Sequence, residues 1–235
     1  MCSWKRCAVM IATGAMLCAA VGLIVMSGTL ARGSDDYNDN DNPSQTQAGD
    51  QQQTNQITLQ GSGRQASDKF TLAPGLSIFE VKHDGESNLI IRLLDKDGNE
   101  IDTVFNQIGA FEGDRGCAIK RGGECLFDVI ADGNWTIGVR QPRPEQGETV
   151  PTTLQGTGHH TTPFVQLEKG LNVFKMKHTG ESRFRVTLTD EDGQPVETLV
   201  NTLGAFDGSK PLNIENAGIY FLNVGADGDW TIDIE

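Results

Sequence analysis

The chain has 235 residues and a formal net charge of −13. Its length leaves room for one or two domains. Residues 58–140 carry 9 Lys and Arg against 13 Asp and Glu, and residues 153–235 carry 6 against 12, so both halves argue against nucleic-acid backbones and anionic membrane surfaces as partners.

At the N-terminus Lys5 and Arg6 precede an uncharged, mostly apolar run from Cys7 to Ala31. Residues 1–31 therefore read as a signal peptide or an N-terminal membrane anchor and stand outside the fold. The run exceeds the roughly 20 residues a spanning helix needs, while Thr29-Leu30-Ala31 offers small residues suited to signal peptidase. Leu17 before Cys18 argues against a lipoprotein signal. Either reading places the rest of the chain outside the cell, with membrane contact only through residues 7–31 if they are not cleaved. Residues 32–56 hold almost nothing a core would bury and read as a disordered polar stalk, the acidic stretch at 35–42 serving as a solvating linker.

Two copies of one unit follow. Between residues 75–137 and 170–232, 27 of 63 positions are identical at a constant offset of 95. The shared set includes Gly75-Leu76, Lys82-His83, Gly85-Glu86-Ser87, Asp95, Asp97-Gly98, Gly109-Ala110-Phe111, Ala131-Asp132-Gly133 and Trp135-Thr136-Ile137. Most of these are glycines, turn aspartates and apolar residues, which a fold requires more than a reaction does. The predicted organisation is a β-sandwich repeat over 57–140, a Pro-rich semi-stiff linker over 141–152 and a second repeat over 153–235.

Within each unit the apolar period is two: Phe184, Val186 and Leu188 alternate with Arg183, Arg185, Thr187 and Thr189, as Leu89, Ile91 and Leu93 do in the first copy. Strands are predicted near 57–61, 69–73, 76–83, 88–95, 100–107, 116–120, 124–130 and 134–140. Asp-Gly and Gly-Gly pairs between these runs are hairpin signals. Many short strands at about ten-residue spacing predict an all-β chain of two tandem antiparallel, jelly-roll-like sandwiches.

The order Gly-Leu-x-x-Phe, a Leu/Val-x-Leu strand ending in Asp-x-Asp-Gly, Gly218-Ile-Tyr-Phe-Leu-Asn-Val224 and a closing Trp-Thr-Ile resembles the jelly-roll domains of exported bacterial and archaeal proteins, the pre-peptidase C-terminal type in particular. That resemblance spans both repeats and implies non-catalytic sandwiches with a binding or accessory role. The chain departs from the usual setting in carrying no catalytic domain beside them.

The chemical candidates are few. Cys117 and Cys125 are the only cysteines beyond the apolar segment and are expected to form a disulfide across a Lys120-Arg121-Gly122-Gly123 hairpin, the alternative being two buried thiols in the space of Leu212 and Tyr220. His83 and Glu86, with His178 and Glu181, are the candidate ligand-binding residues, set against a reading in which the turn merely satisfies its own backbone. Asp95 and Asp97, with Asp190 and Asp192, are the candidate metal ligands, and calcium is the possible cofactor. The twelfth-position Glu of an EF-hand is missing, so a hairpin turn is the competing assignment. Trp135 and Trp230 share parity with core isoleucines and are expected to be buried rather than to stack on sugars. His159-His160 reads as an exposed loop. No nucleophile, zinc-protease or phosphate-loop pattern is present, so no enzymatic activity is expected. The function expected is a secreted or surface-anchored binding or adhesion protein whose partner is a glycan or a cell-surface protein. The alternatives are a structural spacer or envelope component, and a calcium-stabilised carbohydrate-binding module.

Overall fold

The computed structural model describes residues 56–235. The segments expected to be a signal or anchor and a stalk lie outside the described residues, apart from Gln56. Among the described residues there is no helix, and the strands fall close to the predicted ones, except that the strand predicted at 116–120 runs from Phe111 to Ile119 and a short strand is added at Gln65–Ala66. The first repeat comprises β1 (Ile57–Ser62), β2 (Gln65–Ala66), β3 (Phe70–Leu72), β4 (Gly75–His83), β5 (Asn88–Asp95), β6 (Glu100–Ile108), β7 (Phe111–Ile119), β8 (Gly123–Ile130) and β9 (Asn134–Arg140). After β10 (Glu148–Thr149) the set recurs as β11 (Thr152–Thr157), β12 (His160–Thr161), β13 (Val165–Leu167), β14 (Gly170–His178), β15 (Arg183–Asp190), β16 (Pro195–Leu203), β17 (Phe206–Ile214), β18 (Gly218–Gly225) and β19 (Asp229–Ile234).

In repeat 1 one sheet has the order β1-β9-β4-β7, and the other places β2 and β3 beside β8, followed by β5 and β6. Repeat 2 reproduces both, and β10 adds to the edge by pairing in parallel with β13. With β2 and β3 taken as one interrupted strand, successive strands cross between the sheets in jelly-roll order. Among the described residues only β5–β6, and its counterpart β15–β16, closes as a hairpin within one sheet. Both hairpins carry irregularities at equivalent places, after Ile91 and Leu93 and after Val186 and Leu188, which fits bulges as heritable features of a strand pair.

The crossings correct the disulfide expectation. Gly122-Gly123 does not turn a hairpin; it carries the chain from β7 in one sheet to β8 in the other. Cys117 lies opposite Ser77 of β4, whereas Cys125 lies opposite Phe70 of β3 and Asp95 of β5. Both cysteines are free and buried. Burial pushes the Cys117 thiol up to about 12 and raises that of Cys125 as well, so both serve as small apolar fillers of the first core.

Each repeat has its own core between its sheets. Phe79, Leu89, Ile91, Phe127, Trp135 and Ile137 are prominent in the first, and Phe174, Phe184, Leu222, Trp230 and Ile232 in the second. A third, smaller cluster of Leu76, Ile78 and Phe221, with Phe164 against it, joins the repeats. It explains why β4 is buried on both faces over residues 76–79: Phe79 turns into its own core, while Leu76 and Ile78 turn onto repeat 2. The linker is tied at both ends. The Gln141 side chain hydrogen-bonds Ala73 and Ser77, Arg143 donates to the carbonyls of Leu76 and Pro74, and the Glu148 amide donates to Phe164.

Candidate functional site

The repeated Lys-His-x-Gly-Glu-Ser turn is organised around an aspartate that lies far away in sequence. Asp132 Oδ2 accepts from the amides of Glu86 and Ser87 at 3.1 and 3.0 Å, and Asp227 Oδ2 accepts from those of Glu181 and Ser182 at 3.0 and 2.8 Å. His83 Nδ1 lies 3.0 Å from Gly109 O, and His178 Nδ1 lies 3.1 Å from Gly204 O. A carbonyl only accepts, so Nδ1 carries the hydrogen. Nε2 then faces Asp132 Oδ1 at 3.5 Å, or Asp227 Oδ1 at 3.2 Å, and neither contact has hydrogen-bond geometry. Both imidazoles are enclosed, and His178 stacks on Phe184 at 4.5 Å. Gly85 is required by this closure, since a Cβ there would lie 2.6 Å from His83 Nε2. Thus the structure joins each His to an Asp and a carbonyl, while Glu86 and Glu181 point into solvent with no hydrogen bond to the ring. Beside the first turn, a shallow depression of about 410 Å³ runs between Lys82, Phe111 and Thr136.

The candidate metal-binding aspartates also serve their turns. Asp95 Oδ1 accepts from the amides of Asp97 and Asn99 at 2.9 and 2.8 Å, and Asp190 Oδ1 from those of Asp192 and Gln194 at 3.1 and 2.8 Å. These bonds, that of the Asn99 side chain first, hold the Asp95 carboxyl below its ordinary value. Asp97 is engaged by Lys96 at 2.7 Å. Among the described residues no three His, Cys, Asp or Glu side chains gather as a metal-binding group would. Trp135 and Trp230 are buried as expected, their indole N–H groups donating to the carbonyls of Gly63 and Gly158.

A second concave surface lies elsewhere, in a cleft of about 560 Å³ between the repeats. Its first wall is built by β6 and β7, including Asn106 and the segment Asp114–Ala118; its second is built by the outer face of β15, the Gly193-Gln194 turn and the end of β18. The floor is a two-way amide contact: Asn223 Oδ1 accepts from Gly116 N at 2.9 Å and Asn223 Nδ2 donates to Gly116 O at 3.0 Å. Gly116 permits that approach, because a Cβ would meet the Phe221 ring at 2.7 Å. Asp114 anchors the rim. Its side chain is only 14% exposed and takes hydrogen bonds from His160 Nδ1 and Thr161 N, both at 2.8 Å, and from the Thr161 hydroxyl.

The exposed loop expected at His159-His160 is therefore corrected to a bridge. His159 Nε2 meets Gln107 Nε2 at 3.1 Å, its carbonyl accepts from Asp114 N, and its ring sits edge-on to Phe111. The sequence held a signal for this. Asp114, Arg115, Gly116, His159, His160 and Asn223 correspond at the 95-residue offset to Ser209, Lys210, Pro211, Arg64, Gln65 and Asp128. Polar differences between otherwise similar copies mark where one copy touches the other, and the identities between the copies do not carry that signal.

Burial holds the His159 imidazole below its ordinary value of 6.5, against the backbone hydrogen bond at Ala226. The folded state thus favours the neutral ring, and below about pH 6.5 the unfolded chain takes up the proton first. The cost to stability grows as pH falls through that window and is complete once the depressed folded value is passed. Thermal unfolding from pH 7.5 to 5.5 should show a shallower acid slope for His159→Gln than for the parent chain. Equal slopes would place the titration elsewhere.

No family model matches this sequence, and neither does any curated protein. Solved structures align over about three quarters of the chain. The M60 catalytic domain with the CBM51-1 and CBM51-2 domains of Clostridium perfringens ZmpB is 9% identical, with a TM-score of 0.26, over 74% of this chain and 33% of that one. The chain thus spans about a third of that structure's length. The CBM22-1-CBM22-2 tandem domain of Paenibacillus barcinonensis Xyn10C is 9% identical, with a TM-score of 0.26, over 76% and 86% of the two chains. The PBSX exported protein XepA is 6% identical, with the same TM-score and coverages.

Proposed function

We propose that this is an extracellular, non-catalytic binding protein that holds a glycan in the cleft between its two jelly-roll repeats. The observation that carries the reading is the cleft itself. Its volume falls in the range typical of small-ligand sites, its walls come from both copies, and its floor and rim are fixed by hydrogen bonds between them. Planar amides such as Asn106 and Gln194 beside apolar surface suit hydroxyl-rich ligands, which need donors and acceptors together with a flat apolar contact. The N-terminal apolar segment and the resemblance to pre-peptidase C-terminal domains fit an exported accessory role. The buried tryptophans leave the sugar-stacking alternative without its platform.

A panel of neutral, carboxylated and sulfated oligosaccharides, screened against the full-length chain with calcium and with chelator, tests the reading. Asn106→Ala with Gln194→Ala should weaken the interaction about tenfold or more, the scale of losing two satisfied hydrogen bonds, while Glu86→Ala with Glu181→Ala should leave it unchanged. The reverse pattern would move the site to the turns. No interaction with any glycan would leave the spacer reading, which the tied linker favours.

A further inference from the structure

Resting on the cleft as the binding site, we infer that its ligand is a short anionic molecule: an oligosaccharide, or a comparable hydroxylated compound, bearing a carboxylate or sulfate. Four cationic side chains line the cleft, Arg115, Lys120, Arg183 and Arg185, against two carboxylates, Asp102 and Asp114. Both carboxylates are already engaged. Asp102 pairs with Arg115 Nη2 at 3.2 Å, and Asp114 is held by His160 and Thr161. Arg115 is spent as well, since its Nη1 also donates to the carbonyls of Thr103 and Val104 at 2.9 and 3.1 Å. That leaves Lys120, Arg183 and Arg185. Among the described residues none of the three has an ion pair or a side-chain hydrogen bond, in a chain whose net charge is −13.

Comparison of the copies shows that the fold does not demand these cations. Arg183 and Arg185 correspond to Asn88 and Ile90 in repeat 1, and Lys120 corresponds to Glu215 in repeat 2. At these three positions the positive charge is present only in the copy whose face lines the cleft. Arg183 and Arg185 flank the buried Phe184 on β15 and so project from one face, about 7 Å apart along the strand. Two guanidinium groups at that spacing can grip one anionic group from both sides or two successive ones, with the paired N–H geometry that favours arginine over lysine for carboxylate and sulfate. The surrounding acidic surface repels long polyanions, which limits the ligand to a length the cleft can enclose. The Gln194 and Asn106 amides remain for its hydroxyls.

The test uses calorimetry on the full-length chain with oligogalacturonate, its neutral methyl ester and a sulfated disaccharide. The expected result is affinity for a charged probe, weaker or absent affinity for the ester, and a decline with rising salt. Arg183→Ala and Arg185→Ala should each lower affinity about tenfold, since a charge-assisted hydrogen bond is worth at least that, and Lys120→Gln should lower it less. Preference for carboxylate over sulfate, or the reverse, identifies the group. Equal affinity for ester and acid, unaffected by the arginine substitutions but lost with Asn106→Ala and Gln194→Ala, would overturn the charge preference and keep the cleft. Indifference of every probe to every cleft substitution would overturn both.

Discussion

Trp135→Ala is expected to destabilise the protein by about 3–5 kcal/mol, the usual cost of emptying a large aromatic site. Domains are commonly stable by only about 5–15 kcal/mol, so this is enough to unfold the first repeat under mild conditions. Trp135 is 2% exposed and sits on β9 opposite His83 of β4, in the same core cluster as Ile137 and Phe79. Its N–H reaches Gly63 O at 3.2 Å, which ties the β1–β2 corner to the core, so the variant loses the packing and leaves that carbonyl without its partner. Trp230→Ala should do the same to the second repeat, where the indole reaches Gly158 O at 3.0 Å. Because the two cores are separate clusters, denaturant unfolding of either variant should become biphasic, with the intact repeat unfolding second and below the parental midpoint, since it has lost the Leu76–Phe221 contact with its neighbour. A single unshifted transition for both variants would mean that the indoles do not support the cores.

How far the sequence could be read depended on whether an interaction was local. Alternation in Arg183–Thr189 is set by the two faces of one strand, so it reports burial directly, and Phe184, Val186 and Leu188 are indeed enclosed. Asp97-Gly98 was legible because a tight turn is a property of a few residues. The turn at Gly122-Gly123 has similar chemistry but links different sheets. Nothing in four residues records which sheet the next strand joins, and the disulfide expectation failed on that point. The Asp132 partner of the His83 turn lies far along the chain, and in sequence it is one Asp-Gly turn signal among several. Its duplication as Asp227 was visible, but what it held was not. The cleft was hidden for a further reason, since it belongs to the junction between copies, and no pattern within one copy describes it.

Leu76 and Leu171 make the junction measurable, because they are the same residue at the same place in each repeat. Leu76 is fully enclosed and Leu171 is 71% exposed; Phe221 and its neighbours lie on the first and not on the second. Leu76→Ala should therefore cost about 2–5 kcal/mol, as a core truncation does, and Leu171→Ala should stay within about 0.5 kcal/mol, as an exposed one does. Leu76→Ala should also separate the unfolding of the repeats, because the cluster it empties is an apolar part of their contact, leaving hydrogen bonds such as Asn223–Gly116 and Asp114–Thr161 to hold them together. Those hydrogen bonds floor and rim the cleft, so a loosened junction should weaken ligand capture although Leu76 does not line the cleft. Leu171→Ala supplies the control: the same chemistry in the equivalent strand of the other repeat, with no consequence for stability or capture. Equal costs at the two positions would show that the repeats do not rest on each other in solution, and a cleft built from both would then have no fixed shape.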